Sequence, residues 1–170
     1  DNNCPYSVDG LAVHKTVQPS AFVPGGRLTY TIAYTDTSSS ADYSNLVITD
    51  VFDNASLDYV TAIPLPDATD FGTADGLVVW EGLTPSGTPG QVTLVLDVKD
   101  PLDGVESVTN RYAWYSQADL ADRQQPMLQQ AITTPLSAPK LSIQFTDPVT
   151  PYAGGTLVYT IVYTNSGTAS

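Results

Sequence analysis

"GGRLTYTIAYTDTSSSA" (residues 25–41) decides how this chain folds. From Arg27 to Asp36 its residues alternate without a break: Leu28, Tyr30, Ile32 and Tyr34 share one face, while Thr29, Thr31, Ala33 and Thr35 share the other. A period of two sustained over ten residues specifies a strand with one buried face. The stretch then returns near the other end of the chain as "GGTLVYTIVYTNSGTAS" (residues 154–170), identical at eight of seventeen positions. The chain therefore carries an internal repeat.

Working outward, the same alternation recurs in "LAVHKTV" (11–17), "NLVITDVF" (45–52), "LDYVTAI" (57–63), "GLVVWEGL" (76–83), "QVTLVLDV" (91–98), "SVTNRYAWYS" (107–116) and "PMLQQAITT" (126–134). Turn formers such as "VPGG", "TSSSADYS", "PDATDFGTADG", "TPSGTPG" and "DPLDG" separate these runs. No segment has a helical period, and "QADLADRQQ" (117–125) reads as a surface connection. Seven to eight short strands at near-regular spacing predict an all-β, immunoglobulin-like antiparallel β-sandwich, with a closed barrel as the alternative. The expected division is an N-terminal extension (1–8), a repeat domain (9–135), a Pro-rich linker (136–140) and the first two strands of a second such domain (141–170). Two strands are marginal alone in water, so the tail is expected to continue in a longer tandem chain or to be completed by a like subunit.

Charge narrows the function. Eighteen acidic residues, sixteen of them Asp, face six Lys and Arg, for a net charge of −12. Nucleic acid is excluded as a partner, because phosphate binding needs the opposite sign. No apolar run is long enough to cross a bilayer, so no membrane span is expected. A single cysteine, Cys4, cannot form an internal disulfide. One histidine, His14, on the outward face of its strand leaves no credible triad and no zinc ligand set, so an enzyme is not expected.

The runs "LAVHKTVQPSAFVPGGRLTYTIAYTDTSSSA", "NLVITDVF", "VVWEGL", "QVTLVLDV" and "SVTNRYAWYS", spanning roughly residues 9–135, resemble the domain-of-unknown-function 11 repeat family, the conserved repeat domain of bacterial and archaeal surface proteins. "LSIQFTDPVTPYAGGTLVYTIVYTNSGTAS" is similar to the opening of the next repeat. The resemblance implies an immunoglobulin-like sandwich strung in tandem on a secreted or wall-attached protein, with no enzymatic activity and no known ligand. Asp36 departs from the family pattern, which has Asn there, as Asn165 does in the second copy.

Three polar residues fall on apolar faces. In the first strand Lys15 shares a face with Leu11 and Val13, and the second copy reads Leu141, Ile143, Phe145 there, so the position is interior. Asn110 shares a face with Val108, Tyr112 and Trp114, and Asp50 shares one with Leu46, Ile48 and Phe52. Lysine and carboxylate seldom point at a core without a reason. A lysine, an asparagine and an assisting acid are the composition for a spontaneous isopeptide bond, as in several surface-adhesin sandwiches to which this domain is similar. Lys15 and Asn110 would be joined, with Asp50 moving protons. A buried Lys15–Asp50 salt bridge, or three unrelated roles in which Lys15 snorkels from a sheet edge, are the alternatives.

Calcium is the other cofactor to consider, with candidate ligands Asp97, Asp100, Asp103 and Glu106 in one loop or Asp67, Asp70 and Asp75 in another, though neither has EF-hand spacing. Otherwise no cofactor is expected. The sequence thus points to a structural or adhesive module at the cell surface, partnered by neighbouring repeats or like subunits in an array or filament. A glycan- or calcium-binding module is the alternative, with Tyr43, Tyr59 and Tyr115 as scattered aromatic platforms for surface glycans.

Overall fold

The computed structural model describes residues 6–8, 10–37, 45–115, 128–137, 141–146 and 159–165. The chain divides into two compact units, Asp1–Leu136 and Ser137–Ser170. Among the described residues of the first unit, ten strands form two five-stranded sheets. One sheet runs β1 (Tyr6–Val8), β2 (Leu11–Gln18), β3 (Arg27–Asp36), β8 (Gly90–Val98) and β5 (Leu57–Ile63). The other runs β10 (Leu128–Pro135), β9 (Ser107–Tyr115), β4 (Leu46–Asp53), β7 (Asp75–Leu83) and β6 (Ala68–Asp70). Every pairing between these strands is antiparallel.

Alternation builds the core directly. Leu28, Tyr30, Ile32 and Tyr34 of β3 are buried, as are Val92, Leu94, Leu96 and Val98 of β8, and they meet Ile48, Trp80, Val108 and Trp114 in one cluster. The two central strands of the first sheet and those of the second thus press their apolar faces together, which is the sandwich the sequence predicts. At Phe22 the chain forms a parallel bridge to Leu136, beyond the end of β10, and the Phe22 N–H donates to the Pro135 carbonyl at 3.0 Å. Gly25, in the turn before β3, sits at φ +71°, a left-handed conformation that disfavours side chains, and its N–H donates to the Val98 carbonyl at 3.0 Å.

Two strands were not legible in sequence. β1 lies within the expected N-terminal extension, pairing Val8 with Leu11 across a turn at Gly10, and β6 lies within the expected turn "PDATDFGTADG". Each is three residues long and sits at a sheet edge, too short to show a period and suited to blunting an open edge. The stretch 117–125 lies outside the described residues. The second unit contains β11 (Leu141–Thr146) paired antiparallel with β12 (Thr160–Asn165).

That hairpin reproduces the register of β2 and β3. Leu11 pairs with Asp36, Val13 with Tyr34 and Lys15 with Ile32; Leu141 pairs with Asn165, Ile143 with Tyr163 and Phe145 with Ile161. Phe145 therefore holds the position in the second hairpin that Lys15 holds in the first.

Large rings lie over glycines at two pairs in register, Phe52 across from Gly76 and Tyr34 across from Gly90. A β-carbon at Gly76 would land on the ring of Phe52, which is buried and cannot swing out, and on Asn54 Oδ1. Gly76→Ala is expected to destabilise the domain by about 1–3 kcal/mol in urea denaturation, through overpacking, and Phe52→Leu in the same chain to restore part of the loss. A neutral Gly76→Ala would show that the ring over the glycine imposes no constraint.

Candidate functional site

The three inward polar residues come from three strands and both sheets. Asp50 on β4 stands opposite Tyr112 of β9, and Phe52 stands opposite Asn110, so Asp50 and Asn110 are diagonal neighbours on the inner face of one sheet. Lys15 reaches them from β2 of the facing sheet. Lys15 is 4% exposed and Asp50 and Asn110 are 0% exposed. The Lys15 side chain is buried and its amine is bonded inside the sandwich, so it does not snorkel.

Contacts close the group. Lys15 Nζ lies 2.5 Å from Asp50 Oδ2 and also donates to the side-chain carbonyl Oδ1 of Asn110. Asn110 Nδ2 donates to Asp50 Oδ1 at 2.7 Å. The carboxyl thus presents one oxygen to the lysine nitrogen and the other to the carboxamide nitrogen. The rings of Tyr30 and Tyr112 flank the amine, with centroids 4.9 and 5.2 Å from Nζ. Tyr30 Oη lies 3.4 Å from Thr134 Oγ1, and the Tyr112 hydroxyl donates to Gln130 Oε1.

Electrostatics follow from this burial. Desolvation is the largest influence on both ionisable groups, pushing Lys15 below its ordinary 10.5 and Asp50 above its ordinary 3.8. Their mutual attraction, and the Asn110 hydrogen bond to Asp50, offset only part of it. Burial also pushes Tyr30 up to about 12, so its phenol stays protonated. Desolvation thus pushes both groups towards their neutral forms, an amine beside a carboxylic acid. An amine in that state has a free lone pair, and it touches a carboxamide whose carbonyl carbon is electrophilic.

The acidic loops are arranged differently. Asp97 is held by Arg27, which donates from Nε at 2.7 Å and from Nη2 at 3.0 Å, and this pairing holds the Asp97 carboxyl below its usual range. Asp67 Oδ2 accepts from the Glu81 N–H at 2.7 Å, Asp70 Oδ1 accepts from the Gly72 N–H at 2.9 Å, and Asp75 faces Arg111 at 3.9 Å. Among the described residues no three carboxylate, histidine or cysteine side chains gather as metal ligands. The candidate calcium sets Asp97, Asp100, Asp103 and Glu106, and Asp67, Asp70 and Asp75, are therefore not assembled. Tyr115, expected as an exposed platform, is buried in an apolar cluster with Val47, Val79 and Ala113 on the outer side of its sheet, where alternation alone predicts exposure. Tyr59 packs against Phe71, a contact without a sequence signal, and Tyr43 and Cys4 lie outside the described residues.

Among solved structures, a cohesin module from a Clostridium perfringens family 33 glycoside hydrolase is similar over 73% of this chain and 96% of its own length, with a TM-score of 0.51 and 5% identity. The fold is an immunoglobulin-like β-sandwich. The N-terminal domain of a Streptococcus gordonii adhesin is similar over 73% of this chain and 32% of its own length, with a TM-score of 0.49 and 15% identity. AvmM, which catalyses macrocyclization in alchivemycin A biosynthesis, is similar over 76% of this chain and 89% of its own, with a TM-score of 0.46 and 10% identity. No family model and no curated protein matches the chain. Among the described residues no helix is long and apolar enough to cross a membrane.

The buried pair makes a specific pH signature. With Lys15 and Asp50 both present and unjoined, the unfolded chain carries one proton on lysine and the folded pair holds one proton between them, so folding moves no net proton between about pH 5 and 9. Lys15→Met leaves Asp50 alone with its raised pKa. Above the ordinary value of 3.8 the unfolded state then releases a proton that the folded state keeps. Stability of Lys15→Met is expected to fall as pH rises from 4 towards the folded pKa, by up to about 1.4 kcal/mol per pH unit, in urea melts across that range. A flat profile for this variant would mean that Asp50 is not held protonated.

Proposed function

We propose that the chain is a structural and adhesive module of an extracellular tandem-repeat surface protein or filament, locked by an autocatalytic isopeptide bond between Lys15 and Asn110. The observation that carries this reading is the contact of Lys15 Nζ with both Asn110 and Asp50 in a site shut off from water. Isolating a lysine and a carboxylate from solvent costs several kcal/mol per ion. The second hairpin carries phenylalanine at the same register, so the strand pairing itself does not require lysine.

The reaction balances within the cluster. Asp50 takes the ammonium proton through Oδ2, and the neutral amine attacks Cγ of Asn110 to give a tetrahedral centre. The proton on Asp50 passes through Oδ1 to Nδ2, which already lies 2.7 Å away. The Cγ–Nδ2 bond breaks and ammonia leaves, the attacking nitrogen gives its second proton to the Asp50 carboxylate, and a neutral secondary amide joins the two sheets. Proximity replaces an external catalyst, because the reacting groups are already in contact and need no collision. No external substrate is turned over.

The bond spans 95 residues, from the second strand to the ninth. By the chain-entropy argument used for disulfides, closing a loop of this size stabilises the fold by about 4.7 kcal/mol. A tether under tension gains more than that, because the enclosed chain cannot lengthen at all. The resemblance to the surface-protein repeat family and the internal repeat both suit such a role, in which like units stand in series. Partners on this reading are neighbouring repeats or like subunits.

Intact mass spectrometry of the purified chain tests the bond. The expected mass is about 17 Da below the sequence value, the mass of one ammonia, while Asp50→Asn, nearly equal in size but unable to move the proton, is expected at its full sequence mass with a lower melting temperature. An unshifted mass for the wild-type chain would sink the covalent reading.

A further inference from the structure

A cleft of about 440 Å³ opens where the β4–β5 turn, the β6–β7 turn and the end of β8 meet, lined by Asn54, Asp58, Tyr59, Phe71 and Lys99. None of these residues belongs to the Lys15 cluster. Asn54 ties the two turns together: its N–H donates to the Ala74 carbonyl at 3.0 Å, and its Nδ2 donates to the carbonyls of Phe71 at 3.3 Å and Thr73 at 2.9 Å. Phe71 is thereby held with its ring stacked on Tyr59, centroids 4.8 Å apart at 28°, and tilted against Phe52 at 6.1 Å. It nevertheless remains 42% exposed. Lys99 Nζ donates to the Asn54 carbonyl at 2.5 Å and lies 3.3 Å from Asp58 Oδ1, and the Asp58 side chain is 65% exposed.

We propose that this cleft binds a neutral hexopyranose unit of a glycan. A pyranose has an apolar C–H face that packs on an aromatic ring, and Tyr59 and Phe71 supply a fixed aromatic wall at low entropic cost. Its hydroxyls need both acceptors and donors, which the Asp58 carboxylate and the Lys99 ammonium provide side by side. The two charges offset each other locally, and the chain around them carries a net charge of −12, so an anionic sugar is repelled and a neutral one is not. The volume lies within the range of roughly 300–1,000 Å³ typical of small-molecule sites. A concave site with one aromatic wall and a few convergent polar groups is shaped for orientation as well as contact. The cleft is independent of the isopeptide bond, so either can be absent without the other.

The test is to screen the whole chain against an array of neutral hexose and N-acetylhexosamine oligosaccharides together with sialylated and sulfated ones, and to titrate each neutral binder by calorimetry. Binding of a neutral oligosaccharide is expected, weakened at least tenfold in both Phe71→Ala and Asp58→Asn. The exposed Asp58→Asn variant should keep the wild-type melting temperature, which separates loss of binding from loss of fold. Binding of none of the neutral glycans, binding only of the anionic ones, or binding unchanged in both variants would each overturn the proposal.

Discussion

Everything in the first unit is organised around one constraint: an amine and a carboxyl shut away from water between two β-sheets. Lys15 and Asp50 are each almost completely buried, and each is pushed towards its neutral form by desolvation. Leaving either one unpaired would cost on the order of 3–5 kcal/mol, a large share of the stability of a domain this size. The geometry removes that cost by convergence. β2 brings the amine from one sheet, β4 and β9 bring the acid and the carboxamide from the other, and the rings of Tyr30 and Tyr112 close the sides. The sheets cannot slide or separate without exposing an unsatisfied group, so the polar cluster fixes their relative placement more sharply than apolar packing alone.

Most of this was legible in the sequence for a simple reason: a strand's period of two assigns a face to every residue. Once Leu11 and Val13 mark the inner face, Lys15 must join them, and the same parity turns Asp50 and Asn110 inward. The second copy then tests the parity from inside the chain, because Phe145 replaces Lys15 at a register that the two hairpins share. Parity does not say that three inward residues on three strands meet at one point. That depends on strand order and on the pairing of Phe52 with Asn110 and Asp50 with Tyr112, which no single segment encodes. The three-residue edge strands were invisible because they are shorter than any period. Tyr115 was misplaced because its outer face carries a second apolar cluster, and Phe71 was missed because a ring in a turn has no pattern to follow.

The second hairpin matches the first in register but not in its surroundings. It displays Ile143, Phe145, Tyr159, Ile161 and Tyr163 as exposed apolar side chains. In the first unit the equivalent face of β2 and β3 is covered by the opposite sheet, and the amine on that face finds its partners there. With phenylalanine in the lysine position the second unit has no amine to react, so a chain of such repeats need not be uniformly locked. Locked and unlocked units in series would divide the response to force between stiff and extensible elements. With Lys15 and Asn110 joined, β1, the start of β2, the end of β9 and β10 would lie outside the closed loop, and the chain from Lys15 to Asn110 inside it.

Pulling a single molecule from its two ends by force spectroscopy reads this division directly. A domain joined at Lys15 and Asn110 withholds the 95-residue span between them, so its contour length on unfolding falls short of full extension by roughly 320 Å. That shortfall is expected for the wild-type chain and should vanish in Asp50→Asn. Full extension of the wild-type chain would contradict the covalent lock on which the mechanical reading rests.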